Sequence, residues 1–230
     1  KIPEKLFLYF FYLQNLTETS PDFYRISWSL AVEQFCYILG PIVLLLFVKI
    51  FPNIKRKYLF LGMSLLMIVT LFVLRIYFNS SHAITSITDW NQSVRKVTVY
   101  RLDAIYYGFI LYYLLNNGVI KSTYNQILFI IGLLGVFVLH VLIFMLGIKA
   151  ENYPFFFTVL FLPLNSISIC LMLPYLINLR IKNGFFLYFA TLISLISYSI
   201  YLLHYTIILH GLKTIFPSDS LRDFDLLFYT

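Results

Sequence analysis

Charge is what this sequence has least of. Only 12% of its 230 residues are Asp, Glu, Lys or Arg, against roughly 25% in a soluble domain. The apolar share is 60% and the aromatic share 20%. Such a chain cannot cover a water-soluble globule with polar surface. That excludes a soluble enzyme and a disordered tail. Cysteine is nearly absent: Cys36 and Cys170 are the two, and each sits inside an apolar run. No disulfide framework and no metal-ligand spacing follows, and both read as small buried hydrophobes. The net charge is +7, but nucleic-acid binding needs basic residues clustered in a stripe. The densest group is Lys49, Lys55, Arg56 and Lys57, too small for that role. The chain also lacks an internal repeat and a linker long enough to divide it, which favours one domain over 1–230.

What is there is long uncharged runs. Residues 58–74, 104–120, 122–148, 152–179 and 183–212 contain no Asp, Glu, Lys or Arg, and 34–48 is a further such run entered through Glu33. A bilayer core takes about 20 apolar residues per helix. The expectation is therefore an all-α fold: a polytopic transmembrane helix bundle of about six full or nearly full spans. Leu6–Leu16 and Phe224–Thr230 read as partial spans at the two ends. The chain opens on Lys1 rather than Met, so the reading is a domain truncated at its N-terminus, and at its C-terminus as well. No small-residue cleavage pattern follows the first apolar stretch, which argues against a signal peptide.

The positive-inside rule places the Lys49–Lys57 loop in the cytoplasm. By alternation, the loops around Lys121 and around Arg180 and Lys182 also face in. The segments 15–27, 79–100 and 147–153 face out. Arg95 and Lys96 stand against this assignment. The 79–100 segment is long for a connection between two membrane helices, and long loops are often functional. Pro163 and Pro174 within one apolar run predict a kinked or broken helix. With few alanines, close helix approach falls to the scarce Gly and Ser residues.

Three polar constellations interrupt the apolar runs, and ionisable groups in a span are costly and functional by default. In Ile26–Gly40, Ser29, Glu33 and Tyr37 recur at four-residue spacing and share a helix face. A carboxylate facing hydroxyls in low dielectric has a raised pKa and exchanges protons; the plainer alternative is a surface pair with Arg25. In Tyr100–Gly108, Arg101 and Asp103 flank a helix start. Two residues apart, they do not pair with each other. Asp103 suits the positive end of the helix dipole. Arg101 suits recognition of phosphate or carboxylate, or snorkelling to the interface. In Ile196–Leu209, Ser197, Tyr201 and His204 line one face, and His204 is a candidate general base or substrate hydrogen-bonder. His140 has no polar neighbour on its own helix and reads as packing.

In this order the three stretches resemble the acyltransferase-3 family of integral-membrane O-acyltransferases. Residues 26–37 (ISWSLAVEQFCY) match its T-W-S-L-A-V-E-x-Q-F-Y stretch. Tyr100-Arg101-Leu102-Asp103 with Gly108 matches its F-R-L-D helix start. Residues 196–204 (ISYSIYLLH) match its I-S-Y-S-x-Y-L-x-H helix. One residue is missing between Glu33 and Phe35 relative to the family, and Cys36 intervenes before Tyr37. The family's first helices carry an Arg with a His eleven positions later; no Arg here has such a His, which places that pair upstream of Lys1.

The resemblance implies transfer of an acyl group, usually acetyl, from a cytoplasmic acyl-CoA donor to a hydroxyl of a cell-envelope glycan, with no bound cofactor and no metal. It implies a multi-pass protein of a bacterial inner membrane whose partners are the bilayer, acyl-CoA and the glycan acceptor. It gives Glu33 and His204 supporting catalytic roles, with the main His upstream. It gives substrate contacts to Trp28, Ser29, Tyr37, Arg101, Asp103, Ser197 and Tyr201, Arg101 holding a donor phosphate or a developing oxyanion. Two alternatives stay open: a transporter or flippase of a lipid-linked sugar, whose usual pseudo-symmetric halves are not visible here, and a relative that has lost catalysis.

Overall fold

A computed structural model describes residues 7–17, 27–180 and 184–203. Among the described residues every regular element is helical. In chain order they are α1 (Phe7–Phe10), α2 (Ser27–Ile50), α3 (Arg56–Ser81), α4 (Ile87–Trp90), α5 (Asp103–Asn116), α6 (Asn125–Phe137), α7 (Ile143–Met145), α8 (Leu162–Asn178) and α9 (Gly184–Leu203). Chain contacts divide it into two units, Lys1–Ile177 and Asn178–Thr230.

Five helical stretches are long and apolar enough to cross a membrane: Ser27–Ile50, Arg56–Ser81, Ser122–Met145, Phe156–Asn178 and Gly184–Tyr201. Their outward faces are apolar: Leu45 and Leu46 on α2, Val69 and Val73 on α3, Ile130 and Leu134 on α6 are all exposed. Water tolerates no such continuous surface on a monomer, whereas a bilayer requires it. The chain is a membrane protein by this criterion.

Among the described residues five stretches reach full span length, against the expected six full or nearly full spans. The run 104–120 forms α5, only 14 residues long, which is about 21 Å of helix. It nevertheless matches much of the depth of α3. Asp103 at its start bonds Arg75 of α3, and Asn117 just past its end accepts from Lys57 Nζ at 3.2 Å. Lys57 and Arg75 are about 27 Å apart along α3. The short helix is thus secured at both ends by long basic side chains reaching to it. Of the expected partial spans, the first is helical only over Phe7–Phe10, and the last lies outside the described residues.

One core unites α2, α3 and α5 around Val32, Cys36, Met63, Leu71, Leu102 and Tyr106. The stem of α6 approaches α8 through Gly132 and Gly135. A Cβ at Gly132 would meet the Ser168 carbonyl and the Met172 side chain, and one at Gly135 would meet Ser168. The two glycines and a serine bring the backbones together, as small residues do between membrane helices. α5 and α7 end alike. Gly118 and Gly147 have φ of +67° and +62°, and the paired bonds Val119 N–Leu114 O and Gly118 N–Leu115 O recur as Ile148 N–Ile143 O and Gly147 N–Phe144 O. Both are Schellman caps, which satisfy the last carbonyls and favour Gly at that site.

The helix does not break at the prolines: the backbone is a π-helix over Phe156–Phe161 and then runs as α-helix through Pro163 and Pro174. A second π-helical turn, Val138–Leu142, joins α6 to α7. Within it His140 Nδ1 lies 3.1 Å from the Val136 carbonyl of its own helix and its ring packs against Phe161.

Candidate functional site: an arginine cluster at the end of α3

The 79–100 segment is folded rather than slack. Ser86 caps α4 by accepting from the Asp89 N–H at 3.0 Å, and the Asp89 carboxylate accepts from the Thr85 N–H. The arrangement is close to a capping box, except that the return bond reaches the residue before the cap, Thr85, rather than Ser86 itself. A π-helical turn, Asn91–Arg95, extends α4. Trp90 is 4% exposed and donates its indole N–H to the Phe157 carbonyl at 3.0 Å. That bond fastens the segment to the π-widened entry of α8. Phe78, Ile84, Trp90, Val94, Phe157 and Leu162 form the surrounding core.

The end of the segment is tied to the chain's start. Asn15 is fully buried. Its side-chain amide donates to the Trp28 carbonyl at 3.2 Å and the Lys96 carbonyl at 2.8 Å, and its backbone carbonyl accepts from the Thr98 N–H. Gln14 donates to the Ser27 carbonyl. The residues before α2 and those before α5 are thereby held side by side.

This junction gathers guanidinium groups. Arg75 is fully buried and pairs with Asp103 at 2.6 Å; it also donates to the Tyr100 carbonyl at 3.2 Å. Arg95 bonds Asn91 Oδ1 at 3.1 Å and lies over the Trp28 ring, 6.0 Å from its centroid. Arg101 stands within electrostatic range of Asp103, Arg95 and Arg75, and it makes no hydrogen bond or ion pair with a described residue. Burial, more than those charges, pushes the Arg101 guanidinium down to about 10. Burial also lowers Arg95. Beneath them, Asp103 Oδ1 and Arg75 Nε have no partner.

Three residues named from sequence meet here: Trp28, Arg101 and Asp103. Asp103 does open its helix, but its buried partner is Arg75. Arg75 was missed, although the signal was present: it is the one charged residue between Tyr58 and Ser81 of α3. Arg95, which stands against the positive-inside assignment, also belongs to the cluster.

The other candidates lie apart. Tyr37 donates to Glu33 Oε1 at 2.8 Å, so the predicted shared face exists. Tyr37 itself is exposed, away from the α3–α5 core. Ser29 precedes Glu33 by one turn and is partly buried. Ser197 donates to the Ser194 carbonyl of its own helix, and Tyr201 lies one turn further along α9. His204 and Arg25 lie outside the described residues. Among the described residues no three His, Cys, Asp or Glu side chains gather as metal ligands would.

Comparison of the chain with protein-family models, curated proteins and solved structures found no match.

Proposed function

We propose that this chain is part of a polytopic, integral-membrane O-acyltransferase that moves an acyl group, most simply acetyl, from a cytoplasmic acyl-CoA to a hydroxyl of a cell-envelope glycan. The observation that carries the reading is the ordered set of three polar stretches, 26–37, 100–108 and 196–204, whose described residues lie on a helix or at a helix start in an otherwise apolar chain. The bilayer is that of a bacterial inner membrane, with the Lys49–Lys57 loop in the cytoplasm. Helices α2, α3 and α5 then cross as a packed group and the arginine cluster lies near the outer surface.

In chemical terms, a base takes the proton of the acceptor hydroxyl, the oxygen attacks the thioester carbonyl, and the CoA thiolate leaves. By resemblance His204 takes a supporting role, and Glu33 orients or recharges the imidazole of the family's catalytic His. Tyr37, bonded to Glu33 Oε1, fixes the carboxylate on its helix face. By resemblance Ser29 on α2 contacts substrate, as do Ser197 and Tyr201 on α9, and a guanidinium stabilises the developing oxyanion.

The test is acyl transfer by the full-length protein in proteoliposomes, with labelled acetyl-CoA and envelope glycan. Glu33→Gln should lose transfer while membrane expression and helicity stay unchanged. Glycan that crosses the bilayer without becoming acylated would favour a flippase and overturn the enzyme reading.

A further inference from the structure

We propose that the arginine cluster is a binding site for an acidic sugar, with Arg101 receiving the carboxylate or phosphate carried by the glycan. The identification of that sugar as the acyl acceptor rests on the acyltransferase reading; the anion site itself does not.

The argument begins with charge. Arg101 feels the charges of Arg75, Arg95 and a single carboxylate, Asp103. That carboxylate is committed to Arg75 at 2.6 Å. Arg95 has a side-chain partner in Asn91. Arg101 has none among the described residues. A partly buried cation with no partner is a cost to the fold, and burial already pushes its pKa down to about 10. An incoming oxyanion removes that cost, and the planar guanidinium matches carboxylate and phosphate in two parallel hydrogen bonds. Arg75 and Asp103 lie beneath, 0% and 1% exposed; they position the floor of the site and do not contact the ligand.

Position then selects the ligand. Arg75 lies about 28 Å along α3 from Arg56, at the opposite end from Lys49, Lys55 and Lys57. A cytoplasmic donor's phosphates therefore meet the lysine-bearing loop, and the cluster faces the other compartment. Arg101 belongs to a connecting segment that is fastened to the residues before α2 through Asn15, Thr98 and Lys96. The indole of Trp28 beside Arg95 adds an aromatic surface of the kind that accompanies polar groups in small-molecule sites.

The test is equilibrium binding to the full-length protein in phosphatidylcholine nanodiscs, with trigalacturonate as probe and its uncharged methyl ester as control. Trigalacturonate should bind saturably and the ester should not. Arg101→Gln should weaken binding by about tenfold or more, and Lys55→Gln, at the other end of α3, should leave it unchanged. On the unsubstituted protein, the probe should protect Arg101 from phenylglyoxal, read by mass spectrometry; this arm stands even where a variant folds poorly. Equal binding of acid and ester, or Arg101 modified at the same rate with and without probe, overturns the proposal. So does protection of Arg101 by phosphatidylglycerol in the disc with none by trigalacturonate, which would make the site a lipid headgroup site. No acyl donor is present in these assays. Acid-dependent binding without acyl transfer would leave the anion site standing and sink the enzyme reading; transfer without binding would do the reverse.

Discussion

Removing Asp103 should be far more damaging than removing Asp103 and Arg75 together. At 2.6 Å, an effective dielectric of about 20 gives a gross attraction of about 6 kcal/mol. Desolvating two buried ions costs several kcal/mol each, so the pair contributes little net stability. Its single loss is another matter. Asp103→Leu leaves a guanidinium at 0% exposure with only the Tyr100 carbonyl as partner. Breaking one side of a buried pair costs about 3–5 kcal/mol. The double variant Arg75→Met with Asp103→Leu removes both charges and should lie within about 1 kcal/mol of the starting protein. The assay is unfolding in mixed micelles by SDS titration, followed by far-UV circular dichroism. A double variant as unstable as Asp103→Leu alone would refute the reasoning, because it would mean that packing, not the stranded charge, sets the cost.

Three further outcomes follow from the geometry. Gly132→Val should destabilise by about 1–3 kcal/mol or more, since the new side chain meets the Ser168 backbone and Met172; the same titration checks it, and a neutral result would mean that α6 and α8 are not in contact there. Trp90→Phe keeps the ring but strands the Phe157 carbonyl, for about 1–3 kcal/mol, and amide hydrogen exchange should rise in 84–97 before the rest of the chain. Arg101→Gln should be stabilising at pH 7. Burial lowers the pKa of the folded guanidinium to about 10, so the burial penalty is full below pH 10 and fades as pH rises above it. The advantage of Arg101→Gln in thermal melts should therefore shrink across that window, and a constant difference would assign it to packing instead.

The local features were legible because they depend on one helix at a time. Apolar runs of bilayer length need no partner to be recognised, and a four-residue spacing puts Tyr37 over Glu33 whatever surrounds them. Helix ends follow the same logic, with Gly118 and Gly147 placed where the left-handed cap conformation is needed. The scarcity of small residues pointed to Gly and Ser as the places of close approach, although which glycine meets which serine did not follow from it.

The tertiary structure decided the rest. Arg75 and Asp103 are 28 residues apart, and no periodicity within either helix joins them; only the packing of α3 against α5 does. That same packing shows how the short α5 matches α3 between Lys57 and Arg75, which a run length cannot reveal. It also turns Arg95 from an exception to a charge rule into one member of a cluster, and leaves Arg101 as the member without a partner among the described residues. A sequence determines which residues are too polar for a bilayer. Which of them neutralise one another, and which stay unpaired, is settled by contacts between helices.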